Sequence, residues 1–263
     1  MTTSAPILEV AHLSKAFGGV HAVRDVSFNL SPGEVLALIG PNGAGKSTCF
    51  NILNGQTEPD SGSVRILGHE TLGLKPRQIW RLGVGRTFQI TATYPSMSVR
   101  ENVQVGLLSY HRELYRPFGF AGARHRDEAD ELLGLVGMRE LAGRPCGELA
   151  YGDLKRLELA MALVNAPKLL LMDEPTAGMA PRERAELMRL TVSIARAQSI
   201  GVLFTEHDMD VVFEHADRVM VLNRGMLIAR GRPEEVRNDP NVKAVYLGEG
   251  TLHHVRLGGS PAP

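Results

Sequence analysis

One segment constrains this chain more than any other. Gly40-Pro41-Asn42-Gly43-Ala44-Gly45-Lys46-Ser47 satisfies the pattern G-x-x-x-x-G-K-[ST] in full. Glycines of this kind let a backbone wrap a phosphate with its N–H groups pointing inward, and a helix beginning there adds partial positive charge. In that arrangement Lys46 reaches the β- and γ-phosphates of a nucleotide, the Ser47 hydroxyl holds Mg2+, and Thr48 adds an α-phosphate contact. A plain glycine-rich turn is the competing interpretation. The context argues against it: Val35–Ile39 is an apolar run behind Pro32-Gly33 and reads as a buried strand, and a helix is expected from the loop to about Asn54.

A second apolar run, Leu169-Leu170-Leu171-Met172, ends in Asp173-Glu174-Pro175. A central strand with this pattern carries its acids to the carboxyl end of a sheet, where ligands bind in open α/β folds. Asp173 suits water-mediated Mg2+ binding, and Glu174 suits general-base polarisation of an attacking water.

Between these sites the pattern changes. Strands are expected at Ile7–Val10, Val23–Leu30, Val64–Leu67, Lys168–Asp173, Gly201–Thr205 and Val219–Leu222, with a turn at Gly18-Gly19 and a long helix after Pro181. Strand–helix alternation implies a mostly parallel sheet covered on both faces. From about Ile90 to Leu163 apolar residues recur at helical spacing, which reads as an insertion. Arg112 to Asp127, with its glycine, proline and basic residues, reads as a mobile loop. The expected organisation is a single domain over 1–263, an inserted helical subdomain over 90–163 and a C-terminal tail over 232–263.

With both acidic and phosphate-binding segments in place, the chain resembles the ATP-binding cassette (ABC) ATPases over almost its whole length. The resemblance implies a P-loop NTPase (RecA-like) α/β fold: a parallel-sheet core, an antiparallel β lobe and an inserted α-helical subdomain. It implies ATP and Mg2+ as ligands. Gln89, in Thr87-Phe88-Gln89, corresponds to the family glutamine that touches Mg2+ and water. His207, in Thr205-Glu206-His207-Asp208, corresponds to the switch histidine at the γ-phosphate, and Phe17 to an aromatic that stacks on adenine. The signature loop corresponds to Leu149-Ala150-Tyr151-Gly152-Asp153, and the D-loop to Ala177-Gly178-Met179-Ala180. Ala150 and Ala180 depart from the common family form, which has Ser and Asp there.

Four features resemble the LivG-type branch, the ATPase subunits of branched-chain amino acid importers. They are Ala-Tyr-Gly in the signature, Arg86-Thr87-Phe88-Gln89, the basic loop near Arg112–Arg126, and the stretch Pro240 to Glu249. The branch implies a second ABC ATPase subunit, identical or LivF-type. It also implies transmembrane permease subunits gripped by Ile90–Val99 and the helical lobe, and a periplasmic or extracellular binding protein. A lipopolysaccharide-export ATPase, similar in size, and a non-transport ABC ATPase remain as alternatives.

Composition bears on where such a chain works. Lysine plus arginine equals aspartate plus glutamate, 29 against 29, so no nucleic-acid partner is expected. No apolar run approaches the roughly 20 residues needed to span a bilayer, and Met1–Val10 lacks a basic-then-apolar leader. A peripheral place on the cytoplasmic face of the inner membrane is expected. Cys49 and Cys146 lack metal-ligand spacing and read as buried or half-buried thiols in a reducing compartment.

Overall fold

The computed structural model describes residues 5–87, 93–113 and 124–248. Two sheets organise them. In β3 (Val35–Ile39), β7 (Leu169–Asp173) and β8 (Gly201–Thr205) nearly every residue is buried, as strands covered on both faces require. With β6 (Val84–Thr87), β9 (Arg218–Asn223) and β10 (Met226–Gly231) they form a six-stranded sheet of order β10-β9-β3-β8-β7-β6. All neighbours pair in parallel except β10, which closes one edge antiparallel to β9.

The period of two along these strands divides the interior. Val35, Ala37, Ile39, Leu170, Met172, Val202 and Phe204 face one core. Leu36, Leu38, Leu169, Leu171 and Leu203 face the other. The second core is shared with α1 (Lys46–Leu53) and with an antiparallel sheet of order β2-β1-β4-β5, built from β1 (Leu8–Phe17), β2 (Val20–Leu30), β4 (Ser61–Ile66) and β5 (His69–Glu70). Gly18 and Gly19 join β1 to β2 with φ of 51° and 86°, a conformation that favours glycine.

The first core is covered by α3 (Val99–Tyr110), α4 (Arg126–Leu135), α5 (Tyr151–Leu163), α6 (Pro181–Gln198) and α7 (Met209–His215). α2 (Pro76–Arg81) lies beside β6. In α8 (Pro233–Asn238) and α9 (Pro240–Gly248), Val236, Val242 and Tyr246 are buried in the first core.

Several elements differ from expectation. β1 continues past Val10 to Phe17, because Leu13 is fully buried against the second core. β4 stops at Ile66, since Leu67 turns with a φ of 50°. α4 begins at Arg126, inside the segment read as a loop, with Asp127 and Glu128 in its first turn where acids favour a helix start. Strands β6 and β10 and helices α2 and α7 were not anticipated.

Candidate active site

Four adjacent parallel strands, β3, β8, β7 and β6, bring the expected motifs to one edge of the sheet. The loop after β3 carries Gly40, Gly43 and Gly45 at φ of 151°, 76° and 106°. A Cβ on Gly40 would lie 2.1 Å from the Leu222 carbonyl oxygen, and one on Gly45 would lie 2.0 Å from that of Ala22. The curl therefore needs glycine for space as well as conformation. Backbone bonds fix it from outside: Gly225 N–H donates to Ala44 O at 2.9 Å, and Arg24 N–H donates to Gly225 O at 2.7 Å. Ala44 is buried, Pro41 and Thr48 are half-buried, and Asn42, Gly43 and Ser47 are exposed. Lys46 opens α1 and is only 7% exposed. Its Nζ donates to Gly40 O at 2.6 Å and Pro41 O at 3.1 Å, so it spans the mouth of the loop.

Asp173 and Glu174 leave the end of β7 beside Thr205, the register partner of Asp173 on β8. Thr205 Oγ1 donates to Asp173 Oδ1 at 2.7 Å and accepts from Glu174 N–H at 3.0 Å. Glu174 adopts a φ of 50°, a left-handed conformation rarely held by a non-glycine residue except where the surroundings impose it. Its Oε1 lies 2.8 Å from His207 Nε2, and the His207 side chain is half exposed. Glu206 is buried and accepts from both the N–H and the hydroxyl of Thr176, at 2.8 and 2.6 Å, joining the segments after β7 and β8. The sequence alone assigns no role to Thr205, Thr176 or Glu206. A hydroxyl and a carboxylate flanking His207 were visible there, but their partners depend on strand register.

Gln89 lies outside the described residues. Arg86, at its approach, donates to Gln56 Oε1 at 2.8 Å and Asn51 Oδ1 at 3.4 Å. Burial holds its guanidinium below its ordinary pKa, a shift opposed by the charge of Asp173. Phe17 ends β1 in the hairpin that reaches the phosphate loop through Ala22. It is 52% exposed, which removes it from the core, and Lys15 Nζ sits 5.3 Å from its ring centroid.

The Leu149–Asp153 segment leads into α5. Ala150 is the N-cap of α5 and offers no side-chain acceptor, leaving the first-turn N–H groups of Tyr151, Gly152 and Asp153 without a side-chain cap. Tyr151 is 45% exposed, and its hydroxyl donates to Ala177 O at 3.0 Å. Ala180 is likewise the N-cap of α6, where Glu183 accepts from its N–H at 3.3 Å. Both departures from the common family form thus fall on helix N-caps.

These groups fit a nucleotide. A glycine cradle that a Cβ would fill matches a phosphate, and the Ser47 hydroxyl and Asp173 carboxylate are hard oxygen donors of the kind Mg2+ takes. Fold and site together define a phosphate-loop nucleotide-binding protein. The chain belongs to the ABC transporter family: the family model of that description matches residues 23–177, and a model described as branched-chain amino acid ATP-binding cassette transporter matches residues 226–251. Among its relatives, the high-affinity branched-chain amino acid transport ATP-binding protein LivG of Escherichia coli K12 is 40% identical over 94% of this chain and 99% of its own. The ADP conformation of MJ1267, an ATP-binding cassette of an ABC transporter, superposes with a TM-score of 0.83 at 31% identity over 93% of this chain and all of its own. A dimeric cassette, MJ0796 bound to ADP and phosphate, gives a TM-score of 0.72 at 25% identity over 86% and 98%. As a member of this family the chain is an ATP-binding ATPase subunit of a transporter. No helix among the described residues is long and apolar enough to cross a membrane.

Proposed function

We propose that this chain hydrolyses MgATP on the cytoplasmic face of the membrane to drive an importer of branched-chain or related hydrophobic amino acids. The observation that carries the chemistry is the Asp173–Glu174 pair, held by Thr205 and His207 on the sheet edge that also bears the phosphate loop. Lys46 exchanges the Gly40 and Pro41 carbonyls for phosphate oxygens, and the backbone N–H groups of Asn42–Thr48 surround the phosphates. Ser47, Asp173 and Gln89 would hold Mg2+, which would neutralise charge on the phosphate oxygens. Glu174 takes the proton of the attacking water, and His207 orients Glu174 and reaches the γ-phosphate. Phe17 stacks on adenine.

The Leu149–Asp153 segment offers its uncapped helix N-terminus to the nucleotide of a second ABC ATPase subunit, a copy of this chain or a LivF-type partner. The dimeric MJ0796 cassette supports that assembly. A permease helix docks where β6 and α2 meet α3 and α5. A cavity of about 390 Å³ lies there, lined by Arg77, Trp80, Arg86, Ser109, Glu158 and Met161. Tyr94, half exposed and bonded to Asn102 near the start of α3, offers a further apolar contact for the permease. A periplasmic or extracellular binding protein delivers cargo to the permease. The name of the E. coli relative and the match at residues 226–251 favour amino acid cargo over lipopolysaccharide export.

The test is Glu174→Gln in the assembled transporter. ATP binding is retained, and hydrolysis falls about 10²–10⁴-fold, the range for loss of a general base, together with leucine uptake into proteoliposomes. Hydrolysis at the wild-type rate places the base elsewhere. Normal ATPase without leucine, isoleucine or valine uptake in the wild type removes the cargo assignment.

A further inference from the structure

The ends of α3 and α4 meet at a group of side chains that ATP hydrolysis leaves unused. His111 follows the last turn of α3, and His125 immediately precedes α4. Their imidazoles stack at 4.3 Å with planes 2° apart. Glu128, in the first turn of α4, reaches both: its Oε2 is 3.1 Å from His111 Nε2 and 3.1 Å from His125 Nδ1. On the other side of its ring, His125 Nε2 lies 3.3 Å from Glu113 Oε2, and Arg124 Nη1 lies 3.8 Å from that same oxygen. The side chains of His125 and Glu113 are 19% and 18% exposed, so this half of the group is largely shielded from water.

The proton count makes the arrangement informative. A neutral imidazole carries one N–H. If His125 gives its N–H to Glu113, its Nδ1 presents a lone pair to the carboxylate of Glu128. Two electron-rich atoms at 3.1 Å call for a positive charge between them, which either a second ring proton or a metal cation supplies. A metal cation meets that need for His111, His125 and Glu128 together. The potential ligand atoms of these three residues all lie within 4.8 Å of one another. Tetrahedral Zn2+, with bonds of about 2.0–2.1 Å, sets its ligands about 3.4 Å apart. The two nitrogen–carboxylate separations already match, and tilting the stacked rings brings the nitrogens together. Glu113 stands where a metal-binding histidine keeps its carboxylate, on the ring nitrogen facing away from the ion.

We propose that His111, His125 and Glu128 bind a borderline divalent transition-metal cation of the Zn2+ class, with Glu113 orienting His125. The ion would fasten the end of α3 to the start of α4. The proposal stands independently of the ATPase assignment.

The experiment uses untagged, chelator-stripped protein without nucleotide. Zn2+ is titrated against a chromophoric chelator, and Co2+ is followed by its visible d–d absorption. One equivalent of Zn2+ is expected, with the intense Co2+ bands of four-coordinate nitrogen and oxygen ligation. His111→Ala, His125→Ala and Glu128→Gln each weaken binding at least tenfold, and Glu113→Gln weakens it by about 10–100-fold, the usual effect of removing such a carboxylate. Asp173→Asn and the His253→Ala/His254→Ala double variant leave the stoichiometry unchanged, which excludes the nucleotide site and the paired histidines near the C-terminus. The Co2+ spectrum of the wild type gives a reading that no variant's folding can obscure. Absence of stoichiometric binding, or binding indifferent to His111 and His125, overturns the proposal and leaves an ion-pair cluster only.

Discussion

Thr205→Val tests whether one hydroxyl sets the acidic end of β7. Valine keeps the β-branched shape at this fully buried position and takes away the hydroxyl. Two bonds are removed: Oγ1 to Asp173 Oδ1 at 2.7 Å, and Glu174 N–H to Oγ1 at 3.0 Å. A bond to an ionised group contributes about 1.5–3 kcal/mol, and one between neutral groups about 0.5–1.5 kcal/mol. The second loss is softened, because Glu174 N–H also bonds the Thr205 carbonyl at 3.2 Å, which valine retains. The expected cost is therefore about 2–3 kcal/mol of unfolding free energy, read from denaturant titration. The same freedom of Asp173 and Glu174 slows hydrolysis by about 10–100-fold, since each 1.4 kcal/mol of lost positioning is about tenfold in rate. Phosphate release from the assembled transporter measures this, and Thr205→Ser, which keeps the hydroxyl, restores both quantities. A wild-type rate in Thr205→Val with reduced stability makes the residue structural alone. Wild-type values of both show that the two bonds carry no net free energy.

Two further outcomes follow from single positions. Ala150→Ser supplies the missing N-cap of α5, whose φ of −63° and ψ of 154° already suit one; stability rises by about 1 kcal/mol, and an unchanged melting midpoint refutes the cap geometry. Burial pushes the Cys49 thiol from 9.0 up to about 12, so its contribution to stability is complete below pH 9.0 and is lost as pH rises from there towards 12, where the unfolded chain ionises first. Denaturant midpoints measured across that alkaline range, against Cys49→Ala, check the sign. Faster alkylation of Cys49 in the folded chain than in the unfolded one contradicts it.

What could be read from the chain and what could not divide along a physical line. The phosphate loop and Asp173-Glu174 were legible because each is a local pattern behind an apolar strand buried on both faces. β6 was not, because Val84-Gly85-Arg86-Thr87 is short and contains a glycine, which stands there because a Cβ would meet the Ala162 carbonyl at 2.4 Å. β10 was missed because it is a partly exposed edge strand, paired on one side only. The role of Thr205 depends on the parallel register that sets it opposite Asp173, and the left-handed backbone of Glu174 depends on the same junction. His111 and His125 are brought together by the packing of α3 on α4, which no short motif announces.

The bond from the Tyr151 hydroxyl to the Ala177 carbonyl has a mechanical consequence. A rigid aromatic strut links the tip of α5 to the segment entering α6, with its ring against Gly178 and under the Lys155 ammonium. The link between the two ends is this single bond and lies outside the sheet. In the proposed pairing of two cassettes, it would tie the Leu149–Asp153 loop to Ala177, whose N–H in turn bonds the Glu174 carbonyl.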